Sequence, residues 1–184
     1  HYIMKKSKDS ACGYVNIGYP GLDLEGSFLQ SAETLRSTLL KKYSKVIAYY
    51  DTTTADDLFF SAENSLTVFK KLVNLAVTSN SILIFKTKKK ILNEISRVIE
   101  RNPDHVIVDN KQSNLTPAFA ADVVFGVLNS TLPAIAAAYG KKTYFLNFGD
   151  VVDEKWMSIV GEVGVFIAVD EIDAALLQRN DTNE

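Results

Sequence analysis

Val123-Val124-Phe125-Gly126-Val127-Leu128-Asn129-Ser130-Thr131-Leu132-Pro133 runs from a β-branched apolar stretch, through polar residues, into a segment with proline near its start. The apolar part is continuous rather than alternating. Such a strand is covered on both faces, as in a parallel sheet with a helix layer on each side. Proline is tolerated in the first turn of a helix, where backbone amides have no partner inside the helix. The spacing therefore predicts a strand over 123–127, a break at 128–131 and a helix over 132–139. Gly140 follows as a left-handed cap. Ala134, Ala136, Ala137 and Ala138 make that helix thin enough to lie close to the sheet.

Outward from this unit the same alternation recurs. Val46-Ile47-Ala48-Tyr49-Tyr50 reads as a buried strand, and a polar loop at 51–57 follows. Leu66, Phe69, Leu72, Val73 and Ala76 share one face of a helix over 65–76. Then come a strand at 82–85, a helix at 91–100, a strand at 106–108 and a short helix near 117–121. Beyond the opening stretch, strands are expected at 143–146 and 165–169 and a helix at 170–177. Upstream, Phe28, Leu29, Leu35, Leu39 and Leu40 recur at helical spacing over 27–42. Residues 14–17 form a short strand stopped by the turn cluster Gly18-Tyr19-Pro20-Gly21. Right-handed crossovers turn this order into an α/β, doubly wound, mostly parallel sheet of about six strands, Rossmann-like in type.

The totals bound the function. A chain of 184 residues suits one α/β domain with a full core. A net charge of −2 gives no reason to expect nucleic acid as a partner. Cys12 is the only cysteine and the histidines are His1 and His105, so no intrachain disulfide, cysteine zinc site or His-based metal site is expected. No apolar run approaches the roughly 20 residues that span a bilayer. The start, His1-Tyr2-Ile3-Met4-Lys5, has no apolar core after its charges and is not read as a signal peptide. A chain that begins without Met is expected to be a fragment, and the expected compartment is the cytoplasm. A dinucleotide glycine fingerprint, a Walker loop and a nucleophile elbow are all missing from the sequence.

In a doubly wound sheet, ligands sit beyond the carboxyl ends of the strands. The loops to inspect are therefore 51–57, 86–90, 109–116, 128–131 and 147–153. Asn129, Ser130 and Thr131 precede a helix whose free amides and dipole make an anion site, and the two hydroxyls add donors. The plainer reading is that Ser130 or Thr131 caps the helix, and on the pattern alone that reading comes first. Lys86, expected just after a buried strand, would neutralise a diphosphate or a departing nucleotide. Thr52 and Thr53 offer hydroxyls to phosphate or sugar oxygens, or serve ordinary turn chemistry. Asp150 would accept from sugar hydroxyls, or is a solvated loop acid.

Several stretches, taken in order, resemble the carboxyl-terminal half of GT-B-fold transferases that build bacterial surface polysaccharides and teichoic-acid-like polymers. Ile17-Gly18-Tyr19-Pro20-Gly21-Leu22-Asp23 is similar to the "I-G-Y-P-x-L-D" that leads into that half. Residues 46–54 look like its opening strand and threonine loop, and 82–86 like its strand ending in lysine. Ala120-Ala121-Asp122-Val123-Val124, Asn129-Ser130-Thr131 and Tyr139-Gly140-Lys141-Lys142-Thr143 look like its "A-D-x-V-I", "S-S/T" and "L-G-K-P" block. The resemblance covers most of residues 14–150 and lifts the phosphate reading of Ser130 and Thr131 above capping.

The resemblance implies that 1–25 is the tail of a preceding domain plus linker, 26–178 the nucleotide-sugar-binding domain and 179–184 a disordered tail. It implies a nucleotide-activated sugar or polyol-phosphate donor, with the base near 109–116. It further implies metal-independent transfer, an acceptor and general base on a separate N-terminal domain, and peripheral membrane association open to the full protein. Ile135 stands where many relatives carry a ribose-holding glutamate, which leaves CMP- and CDP-linked donors open. Two other functions compete with this one: a nucleotide-sugar epimerase of the same fold and a non-catalytic α/β binding module.

Overall fold

The computed structural model describes residues 26–51, 61–87, 91–109, 115–127, 130–147 and 164–178. The opening expectations at 1–25, the loop 52–60, and the tail 179–184 lie outside the described residues. The elements run α1 (Gly26–Leu39), β1 (Val46–Asp51), α2 (Ala62–Thr78), β2 (Ile82–Thr87), α3 (Asn93–Arg101), β3 (Val106–Val108), α4 (Thr116–Ala120), β4 (Val123–Val127), α5 (Thr131–Ala138), β5 (Thr143–Asn147) and β6 (Val165–Ala168). All six strands pair in parallel, in the order β3-β2-β1-β4-β5-β6. The expected doubly wound α/β architecture is the observed one.

The continuous apolar runs are explained by two cores, one on each face. Ile47 and Tyr49 of β1 join Leu83, Phe85, Phe125 and Tyr144 under α2 and α3. Val46, Ala48 and Tyr50, which point the other way, pack with Ile84 and Val124 against α1, α4 and α5. Phe69 of α2 wedges against Phe85 with ring centroids 4.7 Å apart, a tilted contact that aromatic quadrupoles favour. No helix among the described residues is long and apolar enough to cross a membrane.

The strand order carries the functional consequence. The chain builds β1, β2 and β3 outward on one side, with α2 and α3 on one face. It then returns through α4 on the opposite face and lays β4 against the free side of β1. The order of strands reverses between β1 and β4, and the helices that follow them, α2 and α5, lie on opposite faces, the place where doubly wound sheets put their ligands.

A polar clasp fixes this return at the other end of the strands. The Arg36 guanidinium of α1 donates to Asp122 Oδ1 at 2.6 Å and to the Ala120 carbonyl at 3.0 Å. Asp122 Oδ2 accepts from the Val46 amide at 2.8 Å. One carboxylate thus ties α1, the start of β1 and the start of β4 together.

Local chemistry also explains where the element boundaries depart from expectation. α2 starts earlier than the apolar stripe because Ser61 caps it, its side chain accepting from the Asn64 amide at 3.1 Å. β2 runs on through Lys86 and Thr87, following the parallel ladder to Asp51. The helix expected over 170–177 is instead two short 3-10 turns, Val169–Glu171 and Ala174–Leu177. Asp173 is extended and its carboxylate accepts from the Ala175 and Leu176 amides, which starts a new turn and breaks the old one. Leu29 and Leu40, expected on the buried stripe of α1, are exposed. That helix packs through Ala32, Leu35 and Leu39, one helical row away.

α5 lies on the sheet as closely as its alanines suggested, and Gly140 after it is left-handed at φ 76°. The close approach needs a second glycine. A Cβ on Gly126 of β4 would come within 2.7 Å of Pro133 Cβ and closer still to Pro133 Cγ. The proline ring cannot rotate away. Gly126→Ala is therefore expected to cost about 1–3 kcal/mol by overpacking. Chemical denaturation checks this, and an unchanged midpoint would show that α5 is not held so near.

Candidate functional site

Polar side chains do not belong in a core of this kind, so their positions are informative. Among the described residues, buried Ser81 and Thr143 sit at the amino edge of the sheet. Asp51, Ser65, Asp109, Thr116 and Ser130 are also buried, and all gather at the carboxyl edge. This is the edge where doubly wound sheets place ligands.

Ser130 and Thr131 stand beside β1, at the start of α5. Ser130 is the N-cap, in extended conformation (φ −87°, ψ 114°), and its own amide donates to the Val127 carbonyl at 2.8 Å. Its side chain makes no capping hydrogen bond. A serine cap serves the amide two or three residues on; Pro133, three on, has none, and the Leu132 amide, two on, is not taken. The capping-only reading is thus not what the helix uses. Among the described residues no protein acceptor takes the amides of Thr131 or Leu132. The helix start presents donors and the positive end of its dipole at the carboxyl edge of the sheet.

Lys86 lies in β2, one strand beyond β1, and its side chain is not solvated. Its ammonium donates to Asp109 Oδ2 at 3.2 Å and to the Asp109 carbonyl at 3.3 Å. The two side chains are only 12% and 8% exposed, so this is a buried ion pair. Asp109 follows β3 and extends the ladder, its amide donating to Phe85 O at 3.2 Å. Tyr50 shares the register of Lys86 across β1 and β2. Its hydroxyl accepts from the Ala118 amide at 3.1 Å and so stitches β1 to α4. Burial pushes that hydroxyl well above its ordinary pKa, and the charge of Asp109 adds to the effect.

A second buried group lies on the opposite face of the same edge. The Ser65 hydroxyl of α2 donates to Asp51 Oδ2 at 3.2 Å. Tyr49, on the same side of β1, is fully buried, and its hydroxyl has no hydrogen-bond partner among the described residues. Ser65 is near it but gives its hydrogen to Asp51. Burial first, then the Asp51 charge, drives the Tyr49 pKa far up.

Of the residues singled out from sequence, Ser130, Thr131 and Lys86 therefore share one edge. Asn129, Thr52, Thr53 and Asp150 lie outside the described residues. Sequence reading missed Asp109 and Tyr50 as individuals. Asp109 could have been found as a lone acid directly after a strand, inside a loop already marked for inspection. Tyr50 reads as one more apolar strand residue until its partners are known. No family model matches the chain, and no curated protein matches it significantly.

Two measurements check these assignments. Lys86→Met leaves Asp109 charged and buried, and is expected to cost about 3–5 kcal/mol. The double change Lys86→Met with Asp109→Leu is expected to recover most of that loss, because no orphan charge remains. A single-variant loss below about 1 kcal/mol would place the pair in solvent. Separately, Tyr49→Phe deletes an unpaired buried hydroxyl and is expected to be neutral or stabilising by about 1 kcal/mol. Tyr49 has a raised folded pKa, so its contribution is complete below pH 10 and is lost as pH rises through the folded value. The variant should therefore show a shallower fall in stability above pH 10 than the parent.

Proposed function

We propose that this domain binds the donor of a transferase that moves a sugar, or a polyol phosphate, from a nucleotide carrier during bacterial surface-polysaccharide synthesis. The observation that carries the reading is the start of α5. A helix of eight residues opens at the reversal point of the sheet with its first amides untaken by any acceptor among the described residues, and the serine at its head makes no capping bond. Such a start suits phosphate oxygens, because it supplies donors and positive potential without a metal. The order of motifs from residue 17 to residue 147, similar to that of GT-B transferases, adds the substrate class.

In this reading the donor's diphosphate meets the Thr131 and Leu132 amides and the Ser130 and Thr131 hydroxyls. Charge building on the leaving nucleotide is stabilised there without rearrangement. The nucleoside lies toward β3, past Asp109. Acceptor and general base belong to a separate domain, and the domain alone binds donor weakly and turns over nothing.

A thermal-shift series with UDP, GDP, CMP, CDP and TDP tests the reading. Stabilisation by one of them is expected, and Ser130→Ala with Thr131→Ala should abolish it. If no nucleotide shifts the transition at millimolar concentration, the donor-binding reading fails and a binding module for another ligand takes its place.

A further inference from the structure

The Lys86–Asp109 pair is an odd feature to find buried at a ligand-facing edge. An ion pair in the interior roughly breaks even against apolar residues of the same size, so stability alone does not account for it. Its placement suggests another role. A buried ammonium cannot stand bare while a site is empty, since an uncompensated interior charge is costly. A site that uses such a lysine for an anion therefore needs an internal counter-ion in the empty state. That counter-ion must also be able to leave.

Asp109 fits this description. Its backbone is fixed at the end of the sheet by the amide bond to Phe85, while its carboxylate is carried by a side chain at the point where the strand ends. Its backbone carbonyl, 3.3 Å from the ammonium, continues to hold Lys86 in place if the carboxylate rotates off. Tyr50, anchored to Ala118, walls the same side.

We infer that the Asp109 carboxylate is a built-in stand-in for a ligand phosphate: it neutralises Lys86 in the empty domain and yields the ammonium when a phosphate arrives. This rests on the phosphate-binding reading of the edge and specifies how that edge is kept closed to weak anions. The phosphate class taken here is a diphosphate, that of the donor reading on which this inference rests.

The test uses inorganic pyrophosphate on the full chain, with binding read by calorimetry. Asp109→Asn keeps the shape and removes the competitor. It should bind pyrophosphate about tenfold or more tightly than the parent, the low end of what an opposite charge at this distance is worth. Adding Lys86→Gln should cancel the gain. Equal or weaker pyrophosphate binding by Asp109→Asn, or no binding by either protein, overturns the inference. Should Asp109→Asn fail to fold, the parent protein gives the answer through the carboxyl carbon resonance of Asp109. That resonance moves during a pyrophosphate titration if the carboxylate lets go of Lys86, and stays fixed if the inference is wrong. The two readings fail separately. Nucleotide binding without a gain in Asp109→Asn removes only the stand-in. A gain for pyrophosphate with no response to any nucleotide removes only the nucleotide donor.

Discussion

A parallel sheet that is dry on both faces must keep helices on both sides, and a single chain can supply them only by changing faces. Between β3 and β4 the chain makes such a change through α4, from the face of α2 and α3 to the face of α1 and α5. Everything at the candidate site follows from that crossing. It sets β4 against β1 and sends the helices that follow those two strands to opposite faces. The clasp of Arg36 and Asp122 holds the crossing from the opposite edge, far from any ligand. Stability and site are thus located at opposite ends of the same strands.

The closeness of α5 to β4 is the second constraint. Alanines thin the helix, Gly126 removes the side chain that would push it away, and Pro133 fills the space so made. The same proline deprives Ser130 of its usual capping partner. A packing requirement therefore has a chemical by-product: a buried serine whose hydroxyl is not spent on its own helix.

Charge at the edge is handled by pairing rather than by exposure. Lys86 is held by Asp109, and Asp51 is bonded by Ser65, on opposite faces of the sheet. Tyr50 and Tyr49 lie beneath these groups, one bonded to Ala118 and one unbonded. The Lys86 charge is thus matched by Asp109, while the start of α5 supplies positive potential from backbone amides.

Strand and helix types were legible because burial on two faces leaves a continuous apolar run, as in 46–50 and 123–127, and a helix leaves a stripe. The loops that would hold ligand followed from strand polarity alone. Boundaries were less legible where a single side chain decides them. Ser61 lengthens α2 and Asp173 splits the last helix, through bonds that no periodicity encodes. The pairing of Lys86 with Asp109 was beyond reach, since the residues are 23 positions apart and meet only when β2 and β3 align. Residue order thus determined which segments are buried and which loops follow the carboxyl ends of the strands. The partner of each buried charge was decided by the tertiary fold, because electrostatic pairing depends on distance in space and not on separation along the chain.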